Sequence, residues 1–320
     1  MQVSGPEKLS HYDAVWLSPH VYDALLSGAG RLLRAKAQGL KVLLVTAFGD
    51  ERSEEASAVF ARLGFDSLNL GLQAAHRRDR SYSSFTSRAF GSHPGDVACH
   101  QTLRRLAEDI GHRTKARDVY APLGVGGNVD HRLLHDAAAR AFPVGLAQNI
   151  LFFEDRPYAL VPGAVRLRLA QLAVRLPPAI TDIGDHASLI RHVRSFLASP
   201  VARASLKGSR ERLRCLWLAA NAYLRARGWQ PRKAFGPRVQ PIVDTLDPAL
   251  TNAINDTLAA LGDATRRLIG SQALVARANA AYARRLGHVG AVERYWLLLP
   301  PREAETVTAV RDSDPLATFP

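Results

Sequence analysis

Apolar residues fall in short blocks through the first half of the chain, and each block leads into a segment of helical period. Ala14-Val15-Trp16-Leu17 is an apolar run stopped by Ser18-Pro19, the pattern of a buried strand. From Asp23 to Gln38, Leu25, Leu26, Leu32, Leu33 and Ala37 recur at helical spacing, and Gly39 suits the position that ends such a helix. Lys41 to Ala47 is a continuous β-branched and Leu-rich run, as expected of an interior parallel strand. The alternation continues with a helix over Glu51–Leu63, a strand at Ser67–Leu70, a helix over Val97–His112 and a strand over Asp118–Leu123. A helix over His131–Phe142 and a strand at Asn149–Phe153 complete it. Between these, His76 to Asp96 is polar and rich in Arg, Ser and Gly, and reads as a loop. Such alternation predicts an α/β fold: a Rossmann-like, mostly parallel sheet with helices on both faces and right-handed crossovers.

Beyond Pro162 the pattern turns mostly helical, with long amphipathic segments over Ser199–Arg227 and Asp247–Arg285. Breaks fall at Pro177-Pro178, Ser199-Pro200, Trp229-Gln230-Pro231 and Gly236-Pro237. There is no internal repeat. The expected organisation is a Rossmann-like core over 1–162 and a helical part over 163–300 that packs on the sheet and completes the same domain. A charged, Pro-containing tail follows over 301–320.

Composition narrows the classes. A chain of 320 residues with 47% hydrophobic and 22% charged residues can bury a substantial core as a soluble globular protein. No uninterrupted apolar run of about 18 residues marks a membrane span. Met1 to Tyr12 carries Pro6 and Glu7 and no apolar block, so no secretory signal is expected. Cys99 and Cys215 are too few for a disulfide framework, which points to reduced thiols and a cytoplasmic location. Net charge is +13, from 42 Lys+Arg against 29 Asp+Glu, and nearly all the excess is arginine. Arginine binds phosphate bidentately, so one reading is a polyanion partner or a phosphorylated substrate. The other is a compositional Arg- and Ala-rich habit, favoured because the arginines spread through the helices. No zinc finger, basic zipper or RNA-binding motif is present, and a nucleic-acid partner is not expected.

The chemistry-bearing residues lie at two strand-to-helix turns, Ser18-Pro19-His20-Val21-Tyr22-Asp23 and Asn128-Val129-Asp130-His131. His20 and Asp23 are three residues apart at the first, and His131 opens a helix at the second. Together they supply an N, O, N donor set that suits zinc, with three protein ligands and one open position.

Those segments resemble the PIG-L/LmbE-like family of zinc-dependent N-deacetylases. The family's (P/A)-H-(P/L)-D-D motif corresponds to Pro19-His20-Val21-Tyr22-Asp23. Its P-L-G-x-G and H-x-D-H motifs correspond to the run Pro122-Leu123-Gly124-Val125-Gly126-Gly127-Asn128-Val129-Asp130-His131. Phe153-Glu154-Asp155-Arg156-Pro157-Tyr158 resembles Y-E-D-x-P-Y, and Ser271-Gln272 and Glu293-Arg294-Tyr295-Trp296 are further similarities. The resemblance implies zinc held by His20, Asp23 and His131. It puts Tyr22 where the family has its carboxylate general base. Asn128 stands where the family has the His that stabilises the oxyanion or protonates the leaving amine. A protonated tyrosine is a poor base, and an asparagine can donate a hydrogen bond but not deliver a proton.

Other residues admit two readings. His135, one turn after His131, is either a further ligand or a packed side chain. Asp130 reads as an orienting group for a neighbouring His more readily than as a base. Glu154 or Asp155 could serve as a catalytic carboxylate, against a structural hydrogen-bonding role. Arg77 and Arg78 correspond to the family's substrate-contacting arginine, against a solvated basic loop; Tyr82 and His93, in the same stretch, carry no assigned role. The expected function is a zinc-dependent hydrolase of the N-deacetylase or amidase type, with atypical chemistry at Tyr22 and Asn128. Its expected substrate is a small N-acyl glycoconjugate or natural-product-like molecule, glycosylated or phosphorylated. The alternative is a catalytically inactive homologue kept for binding or scaffolding.

Overall fold

The computed structural model describes residues 2–3, 5–49, 53–142, 148–177, 188–198, 208–260 and 272–300, with positions 180, 202 and 206. The expectations at Pro178, Ser199-Pro200, Ser271 and the 301–320 tail lie outside these residues. The strands are β1 (Gln2–Val3), β2 (Ala14–Ser18), β3 (Val42–Gly49), β4 (Asp66–Gln73), β5 (Asp118–Pro122), β6 (Asn149–Phe153), β7 (Val239–Leu246) and β8 (Ala291–Leu298). The helices in the first half are α1 (Asp23–Ala37), α2 (Ser53–Arg62), α3 (Ala75–Arg78), α4 (Phe85–Phe90), α5 (Gly95–Thr114) and α6 (Val129–Ala141). Those in the second are α7 (Ala164–Gln171), α8 (Leu189–Ala198), α9 (Ser209–Arg227), α10 (Pro248–Ala260) and α11 (Gln272–Arg285).

All eight strands form one sheet in the order β1-β4-β3-β2-β5-β6-β8-β7. The first six are parallel, and β8 joins β6 antiparallel, with β7 on the outer edge. The two strands of the second half are not among the elements expected of that mostly helical part. The reason lies in their residues. β7 carries Pro241, which lacks an N–H and is tolerated because β7 is an edge strand. Glu293 and Arg294 interrupt the apolar run of β8, yet both are buried. The expected helix over Asp247–Arg285 is two helices, α10 and α11, with residues 261–271 outside the described set. His76–Asp96 also contains short helices, α3 and α4, too brief for periodicity to show. The Ser84 and Ser87 side chains cap α4 reciprocally.

Each face of the sheet is covered. α5, α6 and α7 pack on one through Leu103, Ile110, Leu134 and Leu169. α1 and α2 pack on the other through Leu25, Leu32 and Phe60, around Trp16, which stacks on Tyr120 with centroids 4.2 Å apart. α1 bends at Gly28, where a Cβ would collide with the Trp16 ring. The bend leaves the N–H groups of Gly30 and Arg31 to donate to buried Glu293, at 2.8 and 3.1 Å. A Gly28→Ala variant should therefore lose about 1–3 kcal/mol of stability through overpacking. Gly95→Ala, in α5, where a Cβ meets open space, should not lower it. Urea unfolding of the two variants checks this, and equal midpoints would refute the steric argument.

Candidate metal centre

The sheet changes direction between β2 and β5. From β2 the chain winds outward through β3 and β4, whereas β5 leads the other way to β6. The two are paired in parallel, Val15 opposite Val119, so the turns leaving their C-terminal ends flank one crevice. Open α/β sheets hold their ligands at such a switch point. In the first turn Ser18 Oγ donates to the carbonyl of His20 (2.5 Å) and accepts from Ala24 N–H (3.1 Å). The His20 N–H donates to Asp23 Oδ2 at 2.9 Å, which fixes the start of α1. The second turn takes left-handed φ at Gly124, Gly126 and Gly127, a path open without strain only to glycine. It ends at Asn128, whose Oδ1 accepts from Asp130 N–H and caps α6.

These turns bring His20, Asp23 and His131 together, with one ligand atom from each all within 4.8 Å of one another. His131 Nε2 lies 3.4 Å from Asp23 Oδ2. Its other nitrogen, Nδ1, lies 2.6 Å from Asp155 Oδ1. Asp155 Oδ2 accepts from the amides of Gly124 and Val125 at 2.7 and 2.8 Å, so the carboxylate is held firmly. This is the carboxylate–histidine arrangement that directs the free ring nitrogen toward a metal. Asp130 stands behind His20, 3.6 Å from its Nε2. It accepts from Ala75 N–H (3.0 Å) and from Arg78 (3.1 Å).

Burial alone would depress His131, but Asp23, Asp155 and Asp130 more than offset it and push its pKa up to about 9. Zinc uptake at neutral pH would displace that proton. Tyr158 lies over the same crevice, its ring edge-on to His131 at 6.2 Å. Burial, then the charge of Asp23, pushes its pKa up to about 12, opposed by the charge of Arg88. Its hydroxyl therefore keeps its proton at neutral pH. The sequence by itself assigns Tyr158 no role, although it closes the Y-E-D-x-P-Y-like motif. That motif was the only available signal.

The remaining candidates separate by what they touch. Tyr22 is 6% exposed and packs in the core cluster of Trp16, Leu25 and Phe60. Asn128 spends its carbonyl oxygen on the α6 cap. Arg78 reaches both Asp96 and Asp130 and lies over the Phe48 ring, whereas Arg77 is exposed. Tyr82 donates to Asp96, and the His93 N–H donates to the same carboxylate, so the two extend the Arg78 network. Glu154 accepts from Arg294 (2.5 Å), Trp296 (2.8 Å) and Tyr282, away from the three-ligand cluster.

His135 is packed. Its Nδ1 lies 2.9 Å from the Pro122 carbonyl and its ring contacts Phe152. Burial, with Arg168 nearby, lowers its pKa to about 4. Because the folded state resists protonation that the unfolded chain accepts near 6.5, His135 removes stability as pH falls from 6.5 toward 4. His131, raised instead, contributes its full stabilisation throughout that window. Urea unfolding at pH 6.5 and 4.5 should show an acid loss smaller by about 2–3 kcal/mol in His135→Gln than in the parent. An unchanged loss would contradict the assignment.

The site fits zinc by its donor chemistry: two imidazoles and one carboxylate, with one imidazole locked from behind by a buried acid. No family model matches the chain. No curated protein matches it in sequence. Solved structures do match. A deacetylase of the teicoplanin biosynthesis pathway, solved as a complex with bog, aligns at TM-score 0.54 and 15% identity, covering 91% of this chain and 99% of its own. The A40926 pseudoaglycone deacetylase Dbv21 aligns at 0.54 and 15%, covering 92% and 100%. A zinc-inhibited form of teicoplanin deacetylase Orf2 aligns at 0.53 and 14%, covering 91% and 99%. The chain therefore has the fold of these deacetylases over nearly its whole described length.

Proposed function

We propose that the chain is a divergent PIG-L/LmbE-like protein: a zinc-dependent hydrolase that cleaves the amide of an N-acyl group on a glycoconjugate-like small molecule. The observation that carries this is the convergence of His20, Asp23 and His131 at the β2/β5 switch point, with Asp155 fixing His131. The shared fold supports it, since the matched proteins are themselves deacetylases, two of them of teicoplanin. Zinc held by these three residues would supply Lewis acidity toward an acyl carbonyl and toward water. Asp155 holds the proton of His131 on Nδ1 and leaves Nε2 free. Asp130 orients His20. The Tyr158 hydroxyl stays protonated and can donate to the oxygen of a tetrahedral intermediate.

One observation favours the silent-homologue reading. Tyr22 is packed in the core and Asn128 is used as a cap, so neither family position offers a base or an acid. Metal analysis together with acetate release from N-acetylglucosamine conjugates decides between the two. The hydrolase reading expects about one zinc per chain and a slow, chelator-sensitive turnover. Bound zinc with no turnover on any N-acyl conjugate would favour the binding role, and folded protein free of zinc would refute zinc chemistry altogether.

A further inference from the structure

The helix α9 turns opposite ways at once. Cys215 and Ala219 face the core beside Phe85. On the other side Leu213, Trp217 and Leu224 are 67%, 65% and 56% exposed. At about 100° per residue these three fall within an arc of about 40°. The exposed apolar stripe is thus continuous over nearly three turns. Five arginines, at 210, 212, 214, 225 and 227, lie on the same helix, and at this spacing Arg210, Arg214 and Arg227 fall nearest the stripe. Its only acid, Glu211, points inward, where its carboxylate accepts from Thr86 N–H at 2.9 Å. On the neighbouring helix α8, Ile190 is 70% exposed. Between the two helices and the start of α7 lies a cavity of about 440 Å³, lined by Arg166, Arg191, Arg227, Tyr223 and Ser188. None of its described lining residues is acidic.

We infer that the α8–α9 face docks on an anionic lipid surface, with the apolar stripe entering the acyl boundary and the arginine cavity taking a lipid phosphate. Helices that lie in a membrane plane carry this composition, Leu and Trp on one face with basic residues at its edges. Arginine forks match phosphate oxygens. The arrangement also refines the sequence reading, because Arg166, Arg191 and Arg227, far apart along the chain, meet at one cavity once α8 and α9 pack together. The inference does not depend on the hydrolase reading, since the face shares no residue with the metal centre.

Co-sedimentation with vesicles tests it directly. Binding to phosphatidylcholine vesicles containing phosphatidylglycerol should exceed binding to phosphatidylcholine alone by about tenfold or more and should weaken with added salt. Trp217 emission should shift to the blue on binding and be quenched by brominated acyl chains. Leu213→Ser/Trp217→Ser, both at exposed positions, should lower the affinity by about tenfold or more, while Trp217→Phe should preserve it. Arg191→Gln/Arg227→Gln should remove the preference for the anionic lipid. Equal sedimentation with both vesicle types, or full binding by the Leu213/Trp217 variant, would overturn the proposal. So would a wild-type dimer that the Leu213/Trp217 variant converts to monomer without any vesicle binding, which would assign the stripe to a second copy of the chain.

Discussion

A His131→Gln variant should fold and yet hold no zinc. Glutamine can still hydrogen-bond to Asp155, so the buried carboxylate keeps a partner besides the Gly124 and Val125 amides. What disappears is the Nε2 donor that lies 3.4 Å from Asp23. The companion variant Asp155→Asn touches no metal and should still weaken zinc binding by about 10–100-fold. An asparagine there would give its oxygen to the two amides and turn its NH₂ toward Nδ1. That placement makes Nδ1 the acceptor and moves the imidazole proton to Nε2, the nitrogen required as ligand. Competition with a chelator of known affinity at neutral pH measures both variants. Wild-type zinc affinity in either one would refute the three-residue site or the role of Asp155 in it.

The second large effect concerns Tyr22 and Asn128. A Tyr22→Asp/Asn128→His double variant should raise amide hydrolysis by about 10²–10⁴-fold, the usual contribution of a general base or acid. It should also lose stability. Tyr22 is packed among Trp16, Leu25 and Phe60, and truncating a buried aromatic costs about 3–5 kcal/mol. Higher turnover with a lower unfolding midpoint is the expected pair of results. Turnover at or below that of the parent, in folded zinc-loaded protein, would show that these two positions do not limit the chemistry.

Most of the fold was legible because its parallel strands are apolar throughout and its helices keep a regular period. Val42–Gly49 and Asn149–Phe153 need no tertiary information to be recognised. β8 was not legible, because its Glu293 and Arg294 look like surface residues until their partners are known. Glu293 accepts from the α1 amides, and Arg294 is paired with Glu154. The candidate ligands could be read from spacing and resemblance. The setting of Tyr22 could not, since whether a ring at a helix start faces a crevice or the core depends on α2 and the sheet. Asp155 and Tyr158 belong to a recognisable segment, but their link to His131 is a contact across β5 and β6.

The antiparallel pairing of β6 with β8 has a consequence for synthesis. Phe153 opposes Tyr295, and Glu154, next along the chain, binds Arg294 and Trp296, so β6 is flanked on one side by residues made well over a hundred positions later. While the ribosome is still translating α8 to α11, β6 has an open edge and Glu154 lacks its buried partners. The first half can collapse early, with Asp155 already held by the Gly124 and Val125 amides, but Glu154, one residue before it, gains its partners only when β8 has emerged. The strand that leads to Asp155 is thereby paired on both edges only after β8 has been made.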